Sequence, residues 1–157
     1  IESAAGVLDA PAVARLGHVR RLSMGDADLA ADLGMHLSPD RREMDAVRAA
    51  VVVASAAAGI DAPCGPVATD LSDDDGLRES TLELRRRGFG ARTAIHPNQL
   101  ATINECFTPS PDDVAEARSV VDAFEQATAR GDGGVVLDGE YVDAAVARRA
   151  RLVLGPD

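Results

Sequence analysis

Nowhere in these 157 residues does an apolar run approach the ~20 residues that a membrane-spanning helix requires, so no membrane partner is expected. Cysteine is scarce too. Cys64 and Cys106 show no CxxC spacing and cannot build a disulfide framework, which suits a reducing cytoplasm, and each reads as a small core residue rather than a nucleophile. Basic residues are in deficit, 16 against 26 Asp and Glu, giving a net charge of -10. That balance argues against a nucleic-acid partner, because neutralising phosphates needs a Lys/Arg surface. No signal peptide opens the sequence and no initiator Met stands at its start. Ile1 falls in what reads as the end of a strand, so an N-terminal portion is expected to precede it. What is present, 46% hydrophobic and 27% charged residues, is enough to bury one core.

Helical and strand-like segments alternate, the pattern of βα units in a parallel sheet or barrel. Arg21 to Met24 reads as a short strand leading into a turn from Gly25 to Asp28. Ser38-Pro39 reads as an N-cap with Pro at the first helical position, and Met44, Val47, Val51 and Ala54 follow at helical spacing until Gly59. Cys64 to Thr69 reads as the next strand and the acid-rich Asp70 to Gly76 as a solvated loop. A helix from Leu77 to Arg87 closes at Gly88, and a strand from Ala91 to Ile95 turns at His96-Pro97 into a short helix carrying Leu100, Ile103 and Phe107. The alternation then changes, which places a boundary in Phe107-Thr108-Pro109-Ser110-Pro111. Ser110-Pro111 starts a helix with an apolar stripe from Val114 to Phe124. Asp138-Gly139 between two apolar runs marks a hairpin, and a last helix runs from about Ala144 to Leu154.

Two carboxylates stand in short apolar settings, Glu2 in Ile1-Glu2-Ser3-Ala4 and Asp28 in Met24-Gly25-Asp26-Ala27-Asp28-Leu29. At the ends of neighbouring strands they can share one hard cation, since Mg²⁺ takes one or two protein carboxylates and fills its other positions with water and substrate oxygens. The competing reading for either residue is a buried ion pair or a helix cap.

The ordered motifs Ile1-Glu2-Ser3-Ala4-Ala5-Gly6-Val7, Gly25-Asp26-Ala27-Asp28-Leu29 with Asp32-Leu33-Gly34, Thr69-Asp70-Leu71-Ser72-Asp73, Ile95-His96-Pro97-Asn98-Gln99, Phe107-Thr108-Pro109-Ser110 and Asp138-Gly139-Glu140-Tyr141-Val142-Asp143 together cover nearly the whole chain. In this order they resemble the citrate lyase beta subunit-like carbon–carbon lyases of the HpcH/HpaI aldolase group, the malyl-CoA and citramalyl-CoA lyase type. The resemblance implies an α/β fold of the TIM (β/α)8-barrel type. A full barrel needs about 250 residues, so residues 1–107 would be its second half, strands five to eight, and 108–157 a C-terminal lid or oligomerisation extension. The first-half strands and the family's active-site arginine have no counterpart here.

The same resemblance implies reversible cleavage of a β-hydroxyacyl-CoA into an acyl-CoA and a 2-oxo acid. Mg²⁺ would be held by Glu2 and Asp28 and would act as Lewis acid and template. Ala27, Asp28, Leu29, His96 and Pro97 would bind substrate. His96 reads as part of a structural turn lining the acyl-CoA side rather than as a proton carrier. Asp143 would be the catalytic base, reaching the active site of a neighbouring subunit in a homotrimer or hexamer, although its position before the last helix also makes it an N-cap. Where the family often has Gly-Lys in this hairpin, Gly139-Glu140 reverses the charge. The alternatives are a CoA-independent 2-oxo acid aldolase on the same barrel and a non-catalytic remnant or assembly subunit.

Overall fold

The computed structural model describes residues 1–155; the last two residues of the expected extension, 156 and 157, lie outside the described part. The chain forms two compact units, one from Ile1 to Phe107 and a second beginning at Thr108. Among the described residues, no helix is long and apolar enough to cross a membrane.

The first unit alternates helices and strands: α1 (Ala4–Ala14), β1 (Arg21–Ser23), α2 (Asp26–Asp32), α3 (Asp45–Ala58), β2 (Asp61–Gly65), α4 (Asp74–Arg86), β3 (Ala91–Arg92) and α5 (Gln99–Phe107). The three strands are parallel and lie in chain order, with Ser23 opposite Cys64 and Cys64 opposite Ala91. A fourth extended segment joins them at the β1 edge. The Ile1 nitrogen donates to Ser23 O (2.6 Å) and Gly25 N donates to Ile1 O (3.1 Å), the pair of slanted bonds that defines a parallel bridge between Ile1 and Met24. Because all four segments point the same way, the loops that follow them share one rim. Beneath that rim Leu22 of β1 and Met24 just after it pack with Leu29, Met44, Val51, Leu84 and Phe89 in a single apolar core. Burying each such side chain contributes about 1.5–3 kcal/mol.

Several element boundaries differ from the sequence reading. Ser38 caps no helix: its N–H and hydroxyl both donate to Glu43 Oε2, and Arg41 takes a left-handed φ of 51°, so the chain makes a 3₁₀ turn at Arg42–Met44 and α3 starts only at Asp45. The strand expected at Cys64 to Thr69 lies earlier, at Asp61–Gly65. The charge of Asp61 is met there by Arg20 (2.8 Å), and Pro66 to Thr69 already belong to the following loop. In α4 the first turn is built from the aspartates themselves, with Asp73 as N-cap accepting from Gly76 N (2.9 Å) and Asp74 and Asp75 at the positive end of the helix dipole. The third strand also ends at Arg92 rather than Ile95. Helix α1, which carries Pro11 inside it, has no counterpart in the sequence reading.

The second unit holds α6 (Pro111–Ala129), an antiparallel hairpin of β4 (Val135–Leu137) and β5 (Glu140–Val142), and α7 (Ala144–Leu154). Ser110 and Asp113 form a reciprocal capping box at the start of α6. Asp138 and Gly139, with φ of 50° and 88°, turn the hairpin; two consecutive positive values are what a two-residue turn matching strand twist demands. Helix α6 packs on α7 through Ala117, Val121 and Ala150.

Candidate functional site

The rim at the carboxyl ends of the parallel strands collects Glu2 after the Ile1 segment, Gly25 to Leu29 after β1, Ala68 to Leu71 after β2 and His96-Pro97 after β3. Residues 1–4 are tied to this rim at three points. Besides the two bonds of the Ile1–Met24 bridge, Ala4 N donates to Asp32 Oδ2 (2.7 Å), which fastens the start of α1 to the end of α2. Ser3, the N-cap of α1, accepts from Gly6 N, so Glu2 itself is not consumed by capping.

The carboxylate of Glu2 lies over Gly25. A β-carbon at Gly25 would sit 2.6 Å from Glu2 Oε1 and 2.8 Å from its Cγ, so this glycine is the space the carboxylate fills. Helix α2 begins immediately after, and its first turn separates two aspartates by environment. Asp26 is buried at 2% exposure and accepts from Arg48 Nη2 at 2.5 Å, with Arg41 Nη1 at 3.7 Å. Asp28 is exposed and makes no cap bond, and neither it nor Glu2 has a hydrogen-bond or ion-pair partner among the described residues. The buried-pair reading considered for Asp28 therefore belongs to Asp26.

Two free carboxylates flanking a glycine cradle suit magnesium, which needs only one or two protein carboxylates. They would not suit a cation requiring a full protein cage, and no group of three or more His, Cys, Asp or Glu among the described residues is placed to hold a metal. Glu2 and Asp28 are the carboxylates at this turn that the described residues leave without a partner. Of the backbone in this turn, the N–H groups of Ala27 and Asp28 fall in the first helical turn, where no intrahelical acceptor exists. Leu29 departs from its expected role. Its side chain is fully buried in the core and its N–H is taken by Gly25 O, so it supports the turn from beneath instead of facing a substrate.

His96 and Pro97 are exposed on the same rim. Asn98 orients the imidazole, with Oδ1 2.8 Å from His96 Nδ1, and its Nδ2 reaches Leu71 O in the preceding loop (3.2 Å). Gln99, buried at 2%, accepts from Ile95 N (3.0 Å) and donates to Ala68 O (2.8 Å), locking the loops after β2 and β3 together. The roles of Asn98 and Gln99 were not read from the sequence. Their position after a proline gives no sign of partners some thirty residues back.

Asp143 lies in the second unit as the N-cap of α7. Its Oδ1 accepts from Ala145 N (2.8 Å) and Val146 N (3.0 Å), and no bond to Oδ2 is formed among the described residues. One oxygen caps the helix and the other is free to take a proton.

Residues 1–97 match the family model described as HpcH/HpaI aldolase/citrate lyase. The chain is 36% identical to the L-malyl-CoA/beta-methylmalyl-CoA lyase of Cereibacter sphaeroides, over 98% of its own length and 54% of that protein's. It is 31% identical to citrate lyase subunit beta of Leuconostoc mesenteroides, over 98% of its own length and 51% of that protein's. Among solved structures it is similar to the protein CitE of Mycobacterium tuberculosis in complex with magnesium, acetoacetate and coenzyme A, with a TM-score of 0.78 and 28% identity across 98% of this chain and 58% of that one. The chain spans about half the length of the curated relatives it matches.

Proposed function

This chain belongs to the HpcH/HpaI aldolase/citrate lyase family, and on that premise we propose that it is part of a magnesium-dependent carbon–carbon lyase. The reaction cleaves or forms a β-hydroxyacyl-CoA of the citryl-, malyl- or citramalyl-CoA type, with an acyl-CoA and a 2-oxo acid on the other side. The observation that carries this reading is the Glu2 carboxylate seated in the space left by Gly25, with Asp28 exposed and unpartnered among the described residues three positions further along. Residues 1–107 are read as the second half of a TIM-type barrel. Support comes from parallel strands in unbroken chain order with helices between them, from the Ile1–Met24 bridge that extends the order by one more segment, and from candidate residues gathered after the strand ends, where barrel active sites lie. Residues 108–157 are read as a lid and oligomerisation extension.

Glu2 and Asp28 would hold Mg²⁺, which supplies Lewis acidity and a template for the carboxylate and neighbouring oxygen of the 2-oxo acid. The free N–H groups of Ala27 and Asp28 give a substrate carboxylate a hydrogen-bonding partner beside those side chains. His96 and Pro97, fixed by Asn98, shape the acyl-CoA side of the rim. In the condensation direction Asp143 takes a proton from the acyl-CoA carbon that attacks the oxo acid. Its free Oδ2 supports that role, with Oδ1 left to cap α7. The protein works as a homotrimer or hexamer in the cytoplasm, Asp143 serving a neighbouring copy.

Calorimetric titration of Mg²⁺ into the parent and Asp28→Asn proteins tests the metal assignment. Loss of magnesium binding in a folded variant is the expected result, and unchanged affinity would overturn it. Acetyl-CoA titration separates the lyase from a CoA-independent aldolase, which would give no saturable heat.

A further inference from the structure

All sixteen basic residues of this acidic chain are arginines. Six of them, Arg41, Arg42, Arg48, Arg86, Arg87 and Arg92, line one cleft of about 770 Å³ between the turn at residues 39–42, the loop after β2 and helix α4. Glu2, Asp28, His96 and Pro97 do not line it. The outer three arginines are neutralised locally, Arg42 by Asp40, Arg86 by Glu83, and Arg87 by Glu83 and Asp45. Of the other acidic lining residues, Asp70 accepts from Ser72 and Asp73 caps α4, leaving Glu79 on the exposed face of that helix.

The inner three carry more positive charge than their partners cancel. Arg48 and Arg41 share one carboxylate oxygen, Asp26 Oδ2, and Arg48 Nη1 also comes within 4.0 Å of Asp45 Oδ1, which Arg87 already engages. Among the described residues Arg92 has no carboxylate partner and is held instead by neutral acceptors, Pro66 O (3.0 Å), Ser80 Oγ (2.7 Å) and Thr81 Oγ1 (2.8 Å). Three guanidiniums thus face the Asp26 carboxylate and a share of Asp45. Arg48 Nε is buried there without a hydrogen-bond partner, on a side chain only 9% exposed. Burial pushes Arg92 down to about 10, with repulsion from Arg41 and Arg48 adding to it. Like charges drawn together at a partly dry wall are costly unless an anion joins them.

We propose that this cleft binds phosphate, free or as the terminal group of a phosphate ester, between Arg41, Arg48 and Arg92. A tetrahedral dianion offers several acceptor oxygens to planar guanidinium forks, and it supplies negative charge that Asp26 and the shared Asp45 leave wanting. The site is independent of the proposed magnesium chemistry.

The test is titration of the chain with inorganic phosphate in magnesium-free buffer containing chelator, chloride being adjusted to hold ionic strength constant. Saturable binding is expected. Arg41→Gln, in which Asp26 keeps Arg48, should bind phosphate about tenfold more weakly, as loss of one charge-assisted contact implies, with an unchanged circular dichroism spectrum. Arg42→Gln, which removes an arginine already committed to Asp40, should bind like the parent. Adenosine 3′,5′-bisphosphate as competitor identifies the source: displacement of phosphate at lower concentration points to an ester, and weaker displacement to the free ion. Absence of saturable binding beyond the chloride control, or equal affinity in Arg41→Gln, overturns the proposal.

Discussion

Arg48 on α3 donates from Nη2 to Oδ2 of Asp26, the first residue of α2, across 2.5 Å, with both side chains less than a tenth exposed. This pair joins the helix behind the sheet to the turn that presents Asp28. Removing one partner leaves a buried charge without its main counter-ion, so Arg48→Ala should cost about 3–5 kcal/mol by urea denaturation. Asp26→Asn paired with Arg48→Met should recover much of that loss. A cost under about 1 kcal/mol for the single replacement would mean that Arg41 or water already screens Asp26.

Gly25 has φ -113° and ψ 100°, a conformation open to any residue, so its importance lies in space rather than in backbone freedom. Gly25→Ala would put a β-carbon 2.6 Å from Glu2 Oε1 and displace that carboxylate. Magnesium affinity should fall in calorimetry while the melting temperature stays within a few degrees. Unchanged affinity would show that Glu2 is not a ligand in the position it holds here.

Asp143 has a structural duty that can be separated from a catalytic one. Asp143→Ala removes the acceptor for Ala145 N and Val146 N and should destabilise the protein by about 1 kcal/mol, whereas Asp143→Asn should cost only a few tenths. If Asp143 is also the base, both variants lose turnover alike. A turnover that followed stability, with Asn active and Ala weakened, would leave Asp143 as a cap alone.

Acid sensitivity follows from carboxylates held below their ordinary values. Hydrogen bonding to Arg78 lowers Glu105 below 4.5, and hydrogen bonding to Arg20 lowers Asp61 below 3.8. Each is depressed in the folded state, so its contribution is complete above those reference values and is lost as pH falls through the lowered ones. The melting temperature should be level near neutrality and decline below about pH 4.5, and Glu105→Gln should soften the onset of that decline. A parent melting curve that stays flat to pH 3 would contradict it.

Several elements were legible because their causes are local. The Ser110-Pro111 start of α6 is written in a capping box that runs from Ser110 to Asp113, the hairpin in Asp138-Gly139, and the end of α3 in Gly59, whose φ of 68° suits a residue without a β-carbon. The candidate carboxylates Glu2 and Asp28 were likewise visible as charges in apolar surroundings. The bond from Gln99 to Ala68 was hidden because its partner lies 31 residues back, and a local signal could also mislead. Ser38-Pro39 has the form of a helix start, yet Glu43 captures Ser38 and Arg41 breaks the path.

By itself the sequence determined which residues could cap, turn or carry charge, since those properties depend on neighbours a few positions away. Tertiary structure alone decided which of two aspartates in one helical turn would be buried. Asp26 and Asp28 are the same residue type two positions apart, so no local rule separates them. Packing α3 behind β1 brings Arg48 to Asp26 and leaves Asp28 exposed, one carboxylate a strut and the other a ligand candidate.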